Sequence, residues 1–208
     1  MAIITQISQQ KRKGRVNLYL DGRFFCGLER LTCVSHGLVV GKEISESEIE
    51  KIQQESEASV AFDKAATYLS VRMRSKKEIK TYLSGKGFLP QVVESCIKKL
   101  EEYGYVNDRT FAEELIRSYP SLGRGAIRRK LAEKGVSQNI VEELLRDENF
   151  KNEEQKAEEL GKKFIKLRTN AKNLPQKLKN HLILKGYSFE IANKVAKKLL
   201  GENENYEY

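Results

Sequence analysis

Leu83-Ser84-Gly85-Lys86-Gly87, Leu131-Ala132-Glu133-Lys134-Gly135 and Leu182-Ile183-Leu184-Lys185-Gly186 are three copies of one pattern, Leu-x-x-Lys-Gly. Their last glycines stand 48 and 51 residues apart, a period that belongs to stacked helical units. Each copy reads as the end of a helix: an inward leucine, a lysine where the dipole is negative, and a glycine able to take the left-handed conformation that stops the helix. Relative to that glycine, position −8 is Ile79, Ile127 or Leu178, position +6 is Val93, Val141 or Ala192, and position +10 is Ile97, Leu145 or Ala196. The apolar positions therefore match across the copies.

Working outward, each middle helix is flanked by two others. Upstream helices are expected over 60–70, 108–118 (with Asp108 as cap) and 152–167. Downstream helices follow Pro90, Ser137 and Ser188, residues suited to a first turn or a cap. The middle helices open differently, with a Ser75-Lys76-Lys77-Glu78 capping box, with Gly123, and with Asn173-Leu174-Pro175. Three helices in 45 to 50 residues form a unit too small to stand well alone, so stacking is expected.

The first 45 residues follow a different period. Val16, Leu18 and Leu20 alternate, Asp21-Gly22 is a hairpin turn, and Arg23 to Leu28 resumes a strand pattern. Ile3 to Ile7 supplies a third strand ahead of the basic turn Lys11-Arg12-Lys13-Gly14-Arg15, which either touches phosphate or is a solvated connection. A short helix follows near Glu29 to Ser35. Ser45-Glu46-Ser47-Glu48 is a capping box that opens a linking helix.

The expected organisation is thus mainly α. A β-hairpin module spans 1–45, a linking helix 46–57, three-helix repeats 58–106, 107–150 and 151–200, and an acidic tail 201–208.

The formal net charge is +9, which points to a polyanionic partner. Its distribution is uneven, with 13 Lys/Arg against 5 Asp/Glu over 151–200 and 8 against 8 over 107–150. No run approaches the roughly 20 apolar residues of a membrane span, and Met-Ala-Ile-Ile-Thr-Gln lacks the features of a signal peptide, so the cytoplasm is expected. Cys26, Cys33 and Cys96 show no Cys-x-x-Cys spacing. Cys26, Cys33 and His36 lack a fourth metal ligand at usual spacing and read as small semi-buried side chains.

His36 and His181 are the only histidines and stand far apart. No phosphate loop or nucleophile elbow is present, and Gly123-Arg124-Gly125 lacks the spacing of a nucleotide fingerprint. No catalytic residue, cofactor or metal is therefore assigned. Aromatic residues such as Tyr82, Phe88, Tyr103, Tyr105 and Tyr187 read as packing rather than base-stacking platforms.

Cations instead recur at the start of each middle helix: Arg72, Arg74, Lys76 and Lys77; Arg124, Arg128, Arg129 and Lys130; Arg168, Lys172, Lys177 and Lys179. Lysines there oppose the helix dipole, so their recurrence points to a bound anionic surface. The plainer reading is a solvated helix face.

Arg74-Ser75-Lys76-Lys77-Glu78-Ile79, Leu83 to Phe88 and Leu100-Glu101-Glu102-Tyr103-Gly104-Tyr105-Val106-Asn107-Asp108-Arg109-Thr110-Phe111-Ala112 resemble the RecX family of bacterial recombinase regulators. Gly123-Arg124-Gly125 before Leu131 to Val136 continues the likeness, as does the amino-terminal hairpin. The third copy departs most, at Leu174-Pro175.

The resemblance implies an elongated, curved, nearly all-helical monomer that binds the RecA filament on DNA. It further implies restraint of ATP hydrolysis, strand exchange and the coprotease activity that drives the SOS response. Direct binding to single- or double-stranded DNA would be weak and salt-sensitive. The rival classes are a tandem three-helix protein that reads duplex DNA and a helical scaffold with protein partners only. Myb-like versions of the former use tryptophan cores, and this chain has no Trp.

Overall fold

In the computed structural model, which describes residues 1–11, 13–146, 150, 152–168 and 172–201, the Asp21-Gly22 turn has positive φ at both positions (47° and 77°). That geometry matches the twist of paired strands. It joins β2 (Arg15–Leu20) to β3 (Arg23–Glu29), and β1 (Ala2–Gln9) pairs antiparallel with β2. A short strand, β4 (Glu43–Ile44), adds to the other edge of β1 and makes the sheet four-stranded in the order β3-β2-β1-β4. Thr5 Oγ1 accepts the Gly22 N–H at 2.9 Å and Asp21 Oδ1 accepts the Ile3 N–H at 3.0 Å, which tie the turn to β1. Arg12 of the basic turn and residues 202–208 of the acidic tail lie outside the described residues.

The helix α1 (Arg30–Ser35) follows, and then α2 (Glu46–Leu69). Ser45 caps α2 by accepting the Glu48 N–H at 3.2 Å. Where a linking helix and a separate first repeat helix are expected, α2 runs unbroken for 24 residues. Nothing between 57 and 60 can stop it, since Glu57-Ala58-Ser59-Val60 contains neither Gly nor Pro. Its first half covers the sheet: Ile49 and Ile52 join Ile4, Leu18, Leu28 and Ile44 in one core, and Ser56 Oγ accepts the Glu29 N–H at 3.0 Å. A sheet this small needs such a cover.

The second half of α2 packs Ala61 and Ala65 with α3 (Lys76–Gly85) and α4 (Pro90–Glu102) around Ile79, Leu83, Val93 and Leu100. A second set, α5 (Asp108–Ser118), α6 (Arg124–Glu133) and α7 (Gln138–Arg146), encloses Phe111, Ile127, Leu131 and Leu145. The third set is α8 (Glu153–Lys166), α9 (Leu174–Leu184) and α10 (Phe189–Leu200), around Phe164, Leu178, Leu182 and Val195. Ala157, Gly161 and Ala192 draw these last helices close, and a Cβ at Gly161 would stand 2.9 Å from Leu199 Cδ1.

Ile79, Ile127 and Leu178, matched by the repeat, are all fully buried. Truncating any of them to alanine is worth about 2–5 kcal/mol.

The chain divides into two compact units, Met1–Arg74 with Glu78–Val106, and Ser75–Lys77 with the described residues from Asn107 on.

All three Leu-x-x-Lys-Gly motifs end their helices alike. The glycine has φ of 86°, 76° or 93°. Its N–H bonds to the carbonyl three residues back, and the next N–H, of Phe88, Val136 or Tyr187, bonds to the motif leucine at 3.4, 3.1 or 3.2 Å. This is the Schellman ending, in which the leucine and the apolar residue after glycine belong together.

One expected detail differs. Asn107, not Asp108, caps α5, accepting the Arg109 and Thr110 N–H groups at 2.9 and 3.1 Å. Tyr187 is buried, and Tyr103 and Tyr105, 58% and 63% exposed, pack on each other and on Phe62 at the edge of the first helical core.

Candidate functional site

Within the second unit, the backbone at the start of one middle helix docks on the end of another. Gly123 N–H donates to the Lys185 carbonyl and Gly125 N–H to the Gly186 carbonyl, each at 2.9 Å. Between them, Arg124 N–H donates to Glu153 Oε1 at 2.8 Å. A Cβ on Gly123 would lie 2.6 Å from the Gly186 carbonyl and the Tyr187 nitrogen, so only glycine allows this approach.

Residues 75–77 repeat the arrangement against the end of α6. Ser75 Oγ donates to the Lys134 carbonyl at 2.6 Å, Lys77 Nζ to the Glu133 carbonyl at 3.1 Å, and Lys76 N–H to Asp108 Oδ1 at 2.9 Å. The positive end of one helix thus meets the negative end of another.

This docking changes the meaning of the recurrent cations. The leading amides of α6, which an anion would use, are already bonded to protein carbonyls and a carboxylate. An anion at the start of α6 is therefore met by side chains alone.

Several of those side chains also have partners inside the fold. Arg72 donates to Glu78 at 2.8 Å and to the Met73 carbonyl at 2.8 Å, and the Glu78 bond pushes the Arg72 guanidinium further up. Arg74 lies over the Tyr68 ring at 4.0 Å, and Tyr68 stacks on Tyr82 at 4.1 Å. Arg124 pairs with Glu153 at 3.2 Å and reaches the Phe150 carbonyl at 3.3 Å. Lys77 lies along Gly135, and the Lys76 backbone is held by Asp108.

The remainder face outward or nearly so. Arg128 is exposed and pairs with Glu142 at 3.2 Å, a surface bridge worth about 0–1 kcal/mol. Lys130 sits 4.4 Å above Tyr119, and Arg168 sits 4.9 Å above Phe164. Arg129, Lys172, Lys177 and Lys179 have no ion-pair partner among the described residues, and the first three of these are exposed. Of the twelve cations, α6 carries Arg124, Arg128, Arg129 and Lys130 together, and α9 carries Lys177 and Lys179; Arg72 and Arg74 belong to the first unit.

The cysteines are buried, and that burial pushes the Cys26 and Cys96 thiols up to about 11, far from a nucleophile's range. His36 meets Glu55 at 2.9 Å. No helix among the described residues is long and apolar enough to cross a membrane.

Comparison with known proteins places this architecture. Residues 2–45 match the regulatory protein RecX N-terminal domain, residues 61–100 the first RecX three-helix domain and residues 107–145 the second. The regulatory protein RecX of Listeria welshimeri is 34% identical over 195 residues, covering 91% of this chain and 72% of that protein.

The chain belongs to the RecX family.

The RecX of Bacillus subtilis is 32% identical over 212 residues, with 98% of this chain and 80% of that protein covered. A crystal structure of regulatory protein RecX superposes with a TM-score of 0.70 at 28% identity, covering 94% of this chain and 98% of the other. The RecX of Lactobacillus salivarius gives a TM-score of 0.61 at 25% identity, over 69% of this chain and 96% of its own. The RecX family is one of regulatory proteins, and a regulatory role follows for this chain. The three matched RecX domains end at residue 145, so the helices α8 to α10 lie beyond them.

Proposed function

We propose that the chain is a non-enzymatic, cytoplasmic regulator that binds the RecA recombinase filament on DNA as a monomer. It acts chiefly by inhibition, restraining ATP hydrolysis, strand exchange and coprotease activity, and so tempers DNA repair and the SOS response. The observation that carries this reading is the placement of outward cations on the middle helices α6 and α9, with the leading amides of α6 already used within the fold. Arg128 and Arg129 on α6, and Lys177 and Lys179 on α9, offer long cationic side chains suited to an extended anionic surface. An array of charges of this kind suits a polymer's repeating phosphates and acidic patches.

Co-sedimentation with recombinase filaments assembled on single-stranded DNA tests it. Filaments should carry the protein down, with binding that weakens as salt rises. Preference for one duplex sequence over random duplex by about a thousandfold or more would instead assign direct duplex reading and contradict the proposal.

A further inference from the structure

The amino-terminal module holds a second basic feature, away from the middle helices. Lys11, Lys13, Arg15 and Arg30 line one side of a cavity of about 400 Å³ where β1 turns into β2, together with Gln9, Gln10, Gly14 and Val16. Among the described residues, no carboxylate lines it and none of the four cations is in a salt bridge. Its floor is fixed: Gln10 N–H donates to the Arg15 carbonyl at 3.0 Å, Arg30 N–H to the Gly14 carbonyl at 2.8 Å, and an Arg15 terminal nitrogen to the Gly27 carbonyl at 3.2 Å. Arg15 Nε is buried there with no hydrogen-bond partner. Four like charges held around one concavity repel each other, and a bound anion relieves that repulsion.

A second cavity of about 260 Å³ shares Gln9, Val16 and Arg30 with the first. It is otherwise apolar, lined by Ile7, Cys33, Val34 and Leu38, and Val34 is 70% exposed at its rim. A cationic basin that shares a wall with an apolar shelf has the chemistry of a nucleotide unit, with phosphate in one and the face of a base or sugar on the other. A duplex keeps its bases stacked inside, whereas a single strand can lay one on the shelf.

We propose that this module carries its own phosphate site, formed by Lys11, Lys13, Arg15 and Arg30, which takes the backbone of a single-stranded nucleic acid. The site acts without the recombinase, so it stands or falls separately from the filament reading.

The test is anisotropy of a short fluorescent oligothymidylate with the full chain and no recombinase. The variant K11Q/K13Q/R30Q alters exposed residues only. It should bind about tenfold more weakly and lower the slope of log affinity against log salt by about 2, since a single-strand phosphate contact contributes about 0.7. A control, R23Q/K51Q/K98Q, removes the same charge outside the basin and should change affinity by about twofold or less. Lys11→Gln and Lys13→Gln singly should shift affinity the same way with the melting temperature unchanged. Equal losses in both triple variants, or no loss in either, would overturn the proposal. Saturation by thymidine monophosphate over the same concentration range as the oligonucleotide would overturn the strand assignment.

Discussion

Glu153 Oε1 accepts the backbone N–H of Arg124 at 2.8 Å, across 29 residues of chain, and so caps the helix that Arg124 begins. Asp108 does the same for Lys76 at 2.9 Å across 32 residues. Lys76, Arg124 and Pro175 each stand 11 residues before their motif glycine. The third of these positions is a proline, which has no N–H to be capped. The acid that opens one three-helix set thus caps the middle helix before it, and the last such helix has no N–H at the matching position.

Glu153→Ala removes this cap together with the ion pair to Arg124. Loss of an N-cap costs about 0.5–2 kcal/mol, and urea unfolding should show a loss in that range. Glu153→Gln keeps the accepting oxygen and should recover most of it.

Gly123→Ala should be worse. Its Cβ would enter the Gly186 carbonyl at 2.6 Å, whereas a Cβ on Gly85 meets nothing within 4 Å. We expect a drop in melting temperature for Gly123→Ala, and for Gly85→Ala no loss or a gain of about 0.4–1 kcal/mol.

The third helix set should weaken in mild acid. His181 stacks on Phe164 with centroids 4.5 Å apart, and burial first, then Lys185 and Arg168, hold its pKa below 6.5. The fold therefore favours neutral imidazole, so this contribution is complete above pH 6.5 and is lost as pH falls below it. Glu158, held down to about 2 by Lys162 and Lys198, adds stability above its ordinary value of 4.5 that is lost between there and about 2. Melting temperature against pH should show both steps, and His181→Gln should remove the upper one alone.

Reversing charge at Arg128 and Arg129 should leave stability within about 0.5 kcal/mol, as exposed positions usually do. Arg128 loses only its surface bridge to Glu142. Filament binding should weaken and its salt dependence flatten, measured by co-sedimentation of the variant. A large loss of melting temperature would instead mark the pair as structural.

Much of this was readable from the chain because helix endings are local. Leu83, Lys86 and Gly87 specify a Schellman ending within six residues, and the alternation of Val16, Leu18 and Leu20 specifies a strand. What escaped was non-local or negative. The caps on Lys76 and Arg124 come from acids about 30 residues away, which no window around Ser75 or Gly123 contains. The two-residue β4 is defined only by its pairing with Ala2 and Ile3. The continuity of α2 rests on the absence of a breaker, and the charge shift near residue 57 masked it.

The same distinction applies to the candidate site. Recurrence located the cations, but it could not separate Arg124 and Lys77, which bond to the fold, from Arg129 and Lys177, which face solvent without an ion-pair partner among the described residues.

The most direct measurement is ATP hydrolysis by the recombinase on single-stranded DNA, with this protein added well below the recombinase concentration. The account predicts a progressive fall in hydrolysis and shorter filaments, weakened by reversal of Arg128 and Arg129. Unchanged hydrolysis and filament length at every ratio would contradict it.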